Sequence, residues 1–203
     1  IDEIAHPVVR EVLRYLNIAH GVEIHHDGDL PARSGIGSSS SFTVGLLNAL
    51  HALNGNVLSK KELALSSIHI EQKVLKETVG SQDQILAAYG GFNHVSFQKN
   101  GEFFAKPMTL PPHRTQELNS HLMLFYTGIK RTASNIAKSY VHNIESREKQ
   151  LLLMEKMVNE GISILNNGED IIHFGELLNE AWEAKRSLSP TISNPFVDEI
   201  YNQ

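Results

Sequence analysis

Residues 29–41 read Asp-Leu-Pro-Ala-Arg-Ser-Gly-Ile-Gly-Ser-Ser-Ser-Ser and run straight into Phe-Thr-Val-Gly-Leu-Leu-Asn-Ala-Leu at 42–50. The first half has the composition of a loop, the second that of a buried helix. A glycine-rich, donor-rich loop that opens a helix is a phosphate-holding arrangement. Glycine lets the backbone approach an anion closely, the first helical N–H groups have no internal partner, and the helix dipole favours negative charge there. The serine hydroxyls add donors, and any of them is a suitable oxygen ligand for a hard metal ion. The run therefore points to a nucleotide-phosphate binder. Its plainer reading is a linker followed by a serine-capped helix.

Size and charge narrow the class. The 203 residues suffice for one large domain or two small ones, and 41% hydrophobic with 20% charged residues is ordinary for a globular protein. A formal charge of −5 argues against nucleic acid as a partner, which requires a basic surface. The absence of cysteine removes disulfides and thiolate metal sites and fits a reducing cytoplasm. Apolar runs such as Leu151–Met154 are too short to span a membrane. The N-terminal Ile1-Asp2-Glu3-Ile4 is no signal peptide and no initiator Met precedes it, as expected of a fragment or processed product.

Periodicity predicts a helix over 7–16, a strand over 21–26 entering the serine loop, and a helix after the loop that stops at Asn54-Gly55. Ser59-Lys60-Lys61-Glu62 is a capping box, with a long helix from Leu63 to about Thr78, broken at Val79-Gly80-Ser81. A short helix over 84–89 stops at Gly90-Gly91. A hairpin follows, 92–98 and 102–107 about Asn100-Gly101. Leu122–Tyr126 reads as a short buried strand. Helices are expected over 133–143, 147–165 and 171–188. The class is α+β, with an approximate division into 1–127, holding the loop and hairpin, and a helix-rich 128–203.

Pro31-x-x-x-Gly35-Ile36-Gly37-Ser38-Ser39-Ser40 resembles the P-x-x-x-G-L-G-S-S-A loop of the GHMP kinases, the superfamily of galactokinase, homoserine kinase and mevalonate kinase. The four serines and the helix after them are most similar to the bacterial heptose phosphate kinases. The resemblance implies a two-domain fold, a ribosomal-protein-S5-like N-terminal half and a helix-rich α+β C-terminal half. It also implies ATP and Mg²⁺ as cofactors, with Gly35, Gly37, Ser38, Ser39 and Ser40 holding the nucleotide.

Phosphoryl transfer needs a phosphate cradle, a divalent ion and a group that orients the acceptor hydroxyl. Glu71, on the long helix, is the best carboxylate for the ion; its plain alternative is a solvated helix face. In the family a loop serine and a helix glutamate share the metal, which by position implies Ser39 and Glu71. Asp83, in Val79-Gly80-Ser81-Gln82-Asp83-Gln84, sits where a helix begins. It is either an ordinary cap or a carboxylate kept ionised by the dipole. The segment resembles the family's G-x-x-D-Q stretch, where the aspartate faces the acceptor hydroxyl; Asp83 is thus the expected catalytic residue, as base or as orienting group. Lys130, Arg131, Lys185 and Arg186 are the candidate cations for a substrate phosphate, the last two in Trp182-Glu183-Ala184-Lys185-Arg186, which is similar to a heptose-kinase segment. Solvated surface charge is the alternative for each.

Other chemistries are excluded by pattern. The 11 histidines show no metal-ligand spacing, and there is no G-x-x-x-x-G-K-[ST], G-x-G-x-x-G or G-x-S-x-G motif. The family's opening strand-and-loop motif and closing glycine-rich segment have no counterpart, so the resemblance makes this the middle of a longer enzyme. The expected activity is ATP-dependent phosphorylation of a sugar, foremost the anomeric hydroxyl of a heptose 7-phosphate. A galactokinase- or fucokinase-like enzyme and a non-catalytic nucleotide or sugar sensor are the alternatives. The expected partners are small molecules, neither nucleic acid nor membrane, with self-assembly left open.

Overall fold

A computed structural model describes residues 1–29, 34–129 and 144–203. The chain forms two compact units, one built on Ile1–Met108 and one that takes in Thr109–Thr127 and residues 144–203. The α+β expectation holds, with helices predominant and one two-stranded antiparallel sheet among the described residues.

In the first unit, α1 (Pro7–Tyr15) starts with proline at its first position, and the His6 ring accepts from the Val9 N–H at 3.4 Å. Helix α2 (Ser38–Leu53) buries Thr43, Val44, Leu46, Leu47 and Leu50. Helix α3 (Lys60–Ile68) opens with the expected capping box. The Ser59 hydroxyl accepts from the Glu62 N–H at 3.2 Å and the Glu62 carboxylate from the Ser59 N–H at 2.8 Å. The helix widens into a π-turn over His69–Val74, where Leu75 N–H donates to the Ile70 carbonyl. It ends at Lys76, whose φ of +56° is left-handed. Helix α4 (Gln82–Tyr89) precedes the hairpin of β1 (Asn93–Phe97) and β2 (Phe103–Pro107), in the register Asn93 to Pro107 through Phe97 to Phe103.

Helices α2, α3 and α4 pack on one another, and α1 closes the cluster around Val12, Leu47 and Ile70, each fully buried. Ala64, Ile85 and Phe103 form a second cluster that holds the hairpin to α3 and α4. Each buried aliphatic or aromatic side chain removed from water contributes about 1.5–3 kcal/mol. This core is what fixes the start of α2 beside the start of α4.

In the second unit the described elements are α5 (Pro112–Ser120), a 3-10 turn (Ile144–Arg147), α6 (Glu148–Asn167), α7 (Ile172–Arg186) and α8 (Pro195–Tyr201). Arg114, 5% exposed, donates to the carbonyls of Ile164 at 2.8 Å and Glu169 at 2.6 Å and to the Glu117 carboxylate at 2.7 Å. Its guanidinium thus satisfies carbonyls at the C-terminal end of α6 that the helix itself leaves unpaired.

Three expectations differ from the structure. Residues 21–26 form no strand; Val22 and Ile24 pack on the core while Glu23 and His25 are exposed, so the alternation is there without a ladder. Residues 122–126 are neither strand nor buried, with Met123 82% and Leu124 81% exposed. A β-prone run becomes a strand only beside another strand, and among the described residues neither run has one. The helix from Leu63 does not continue as α-helix to Thr78 but turns π at His69. Helices α5 and α8 were not legible in the periodicity. The helix expected over 133–143 lies outside the described residues.

Candidate active site

Gly35 and Gly37 both adopt left-handed backbone, with φ of +85° and +75°. Gly37 is the N-cap of α2, and among the described residues no side chain caps the helix. The first helical bond joins Ser41 N–H to the Gly37 carbonyl at 2.9 Å, so the N–H groups of Ser38, Ser39 and Ser40 precede the intrahelical ladder. Three donors thus lie at the positive end of a 16-residue helix, an arrangement that suits an anion. Ser38 is half-buried, Ser39 exposed and Ser40 buried.

Glu71 is not on a solvated face. Leu63, Ala64, Ser67, Ile70 and Glu71 line the buried side of α3 and its π-turn, and Glu71 is 2% exposed. Its Oε2 accepts from the Ser40 hydroxyl at 3.0 Å and from the side-chain amide of Gln84. Its Oε1 is buried with no hydrogen-bond partner among the described residues; the neighbouring Thr43 hydroxyl donates to the Ser39 carbonyl at 3.1 Å. Burial raises the Glu71 pKa above its ordinary value, and the hydrogen bonds from Gln84 and Ser40 offset only part of that. A buried carboxylate with one unused oxygen suits a divalent cation, which takes few protein oxygens when it is Mg²⁺. Among the described residues no cluster of three acidic or histidine side chains offers a different metal site.

The loop serine whose hydroxyl meets Glu71 is Ser40, whereas Ser39 stands exposed on the next position. Sequence spacing alone could not separate adjacent serines, because one step around a helix is 100° and each faces a different neighbour.

Asp83 occupies the first turn of α4 and is exposed, and no side-chain bond caps that helix. Its carboxylate packs directly on the loop. A Cβ placed on Gly37 would lie 3.3 Å from the Asp83 Cγ and 3.4 Å from Oδ2. The segment before it is held by Gln72, whose amide donates to the Val79 carbonyl at 3.0 Å and to the Ser81 hydroxyl at 3.1 Å. Gly37, Ser40, Glu71 and Asp83 are thus brought together from α2, the π-turn and α4. Gln84, the residue that joins them, went unread in the sequence; its place beside Ile85 on the inward face of α4 was the available signal.

Lys130 and Arg131 lie outside the described residues. In the second unit Lys185 is exposed. Arg186 bonds Glu183 at 3.1 Å, lies 3.5 Å from the Asp198 carboxylate, and sits 5.9 Å above the Trp182 ring. It also lines an open polar cleft of about 640 Å³ with Ser189, Ser193 and Asn194. Trp182 packs against Tyr201, so the Trp-x-x-Lys-Arg segment joins α7 to α8.

The fold, compared with known proteins, is that of the GHMP small-molecule kinases. Residues 3–91 match the family described as GHMP kinases N terminal domain. Similar curated proteins include the D-glycero-alpha-D-manno-heptose 7-phosphate kinase of Campylobacter jejuni, 28% identical over 88% of this chain and 53% of its own length. The bifunctional fucokinase/GDP-fucose pyrophosphorylase of Arabidopsis thaliana is 28% identical over 89% of the chain and 18% of its own length. A solved D-glycero-D-manno-heptose 1-phosphate kinase from Bacteroides thetaiotaomicron superposes with a TM-score of 0.65 at 26% identity, covering 89% of this chain and 53% of that one. The chain therefore spans about half the length of the heptose phosphate kinases it matches. No helix among the described residues is long and apolar enough to cross a membrane.

Proposed function

We propose that the protein is an ATP- and Mg²⁺-dependent sugar kinase that phosphorylates the anomeric hydroxyl of D-glycero-D-manno-heptose 7-phosphate, giving a 1,7-bisphosphate for nucleotide-heptose synthesis. The observation that carries this reading is the packing of the Asp83 carboxylate on Gly37, at the start of the helix whose first three N–H groups precede the intrahelical ladder. The N–H groups of Ser38, Ser39 and Ser40, with the open approach at Gly35 and the left-handed turn at Gly37, hold the nucleotide phosphates. Asp83 accepts a hydrogen bond from the sugar hydroxyl and orients it for in-line attack, as proton acceptor or as aligning group. Glu71 Oε1 and the exposed Ser39 hydroxyl are the protein oxygens assigned to Mg²⁺, which when bound offsets charge on the phosphate oxygens. Lys130, Arg131, Lys185 and Arg186 are assigned to the phosphate the substrate already carries. The heptose assignment is supported by the heptose phosphate kinases among the similar proteins.

A second reading, a kinase of an unphosphorylated sugar such as fucose, is favoured by one observation. Arg186 already faces two carboxylates, which leaves its charge offset before any substrate phosphate arrives. ATP consumption by the full-length protein, measured against the heptose 7-phosphate, the free heptose, fucose and galactose, decides between them. Turnover of the heptose 7-phosphate alone supports the first reading, turnover of free sugars the second. ATP binding without turnover of any sugar overturns both in favour of a sensor.

A further inference from the structure

We infer that Gln84 is a positioning residue: with the Ser40 hydroxyl it holds one oxygen of Glu71 and so leaves the other available as a cation ligand. The inference rests on the Mg²⁺ site proposed above. Gln84 is 1% exposed on α4, and its amide nitrogen donates to the same Oε2 that accepts from Ser40. The two donors come from different helices, α4 and α2, while Glu71 stands on the π-turn of a third. A terminal carboxylate torsion is intrinsically broad and two-fold. Two donors converging on one oxygen remove that freedom and leave Oε1 buried without a partner among the described residues.

The direction of the Gln84 amide is set by the same contact. Its own Oε1 is buried and unpartnered among the described residues, and exchanging oxygen for nitrogen would set an acceptor against the carboxylate. The structure thus leaves two unused acceptors in one small buried region rather than sacrifice the grip on Oε2. Gln84 also follows Asp83 directly in the first turn of α4. One amide therefore ties the helix that presents Asp83 to the carboxylate that would hold the metal. The Ser40 hydroxyl is committed to Glu71, leaving its backbone N–H for the phosphate.

The test compares ATP binding by calorimetry with Mg²⁺ and with excess chelator, in the full-length wild type, Gln84→Met and Ser40→Ala. Methionine keeps the side-chain volume but cannot donate, and outer-shell partners of metal ligands are typically worth 10–100-fold in affinity. Gln84→Met is expected to weaken binding of the Mg²⁺ complex about tenfold while binding of metal-free ATP stays within about twofold. Ser40→Ala is expected to change in the same direction by less. Equal losses with and without Mg²⁺ would mark Gln84 as structural only, and no loss would overturn its role altogether. Should Gln84→Met fail to fold, unchanged Mg²⁺ dependence in Ser40→Ala overturns the grip on Oε2. If the wild type binds ATP equally well with and without Mg²⁺, the metal site itself is wrong, an outcome distinct from wild-type-like behaviour of the variants.

Discussion

The carboxylate of Asp83 lies against the α-carbon of Gly37, so close that a Cβ there would sit 3.3 Å from Cγ. Gly37 therefore has two reasons to be glycine, its φ of +75° and the side chain it faces. Gly35 shares the left-handed backbone but a Cβ there meets nothing within 4 Å. Both Gly35→Ala and Gly37→Ala are expected to lose about 1–2 kcal/mol to backbone strain, visible as lowered denaturant midpoints. Only Gly37→Ala also displaces Asp83, so its kcat is expected to fall at least tenfold below that of Gly35→Ala. Equal kcat in the two variants would remove Asp83 from the reaction.

Asp83→Asn keeps the shape and removes the charge. Because Asp83 is exposed and caps nothing, its stability should change little. The kcat/KM for sugar is expected to drop about 10²–10⁴-fold, the range for a positioned acid or base. ATP affinity should stay within about twofold, since the donors proposed for the phosphates belong to α2. A matching loss in ATP affinity would instead make Asp83 a structural residue of the loop.

Glu71 carries a pH signature. Burial raises its folded-state pKa, so between the ordinary and the raised value the folded protein retains a proton that the unfolded chain has released. Stability contributed by the neutral form is full below the ordinary carboxylate pKa, falls as pH rises through that window, and stays lost above it. Glu71→Gln removes the ionisation. In chelator, the variant is expected to melt above wild type near neutral pH, with the gap closing as pH falls into the carboxylate range. The same variant is expected to lose the Mg²⁺ dependence of ATP binding. Thermal melts across pH with and without Mg²⁺ check both, and a pH-independent gap would contradict the buried, ionising carboxylate.

Arg114 anchors the second unit. Leucine in its place leaves the carbonyls of Ile164 and Glu169 without their donor inside a buried region. Arg114→Leu is expected to destabilise by about 2–4 kcal/mol, from unmet carbonyls and the lost hydrogen bonds. Arg114→Lys should recover only a small part, because a single ammonium cannot reproduce the planar fork. Denaturant unfolding followed by hydrogen exchange should place the loss at the C-terminal end of α6.

What was legible in the chain was local. The Ser59/Glu62 capping box, the hairpin about Asn100-Gly101 and the helix after the serine loop depend on residues within one or two turns of each other, and each formed as read. Leu122–Tyr126 was misread because strand formation depends on a partner that no local pattern reports. Glu71 was found, but its burial followed from the stripe Leu63, Ala64, Ser67 and Ile70 leading to it.

The sequence by itself determined a glycine- and serine-rich helix start of the kind that suits phosphate, and two acidic residues, twelve positions apart, that suit phosphoryl transfer. Backbone donors at a helix N-terminus and glycine's left-handed freedom are properties of the residues in order, so no fold was needed to read them. Only the tertiary structure decided that Ser40 meets Glu71, that Gln84 shares its oxygen, and that Asp83 rests on Gly37. Those contacts join residues from three helices, and their partners are chosen by how the helices pack around Leu47 and Ile70 rather than by any spacing along the chain.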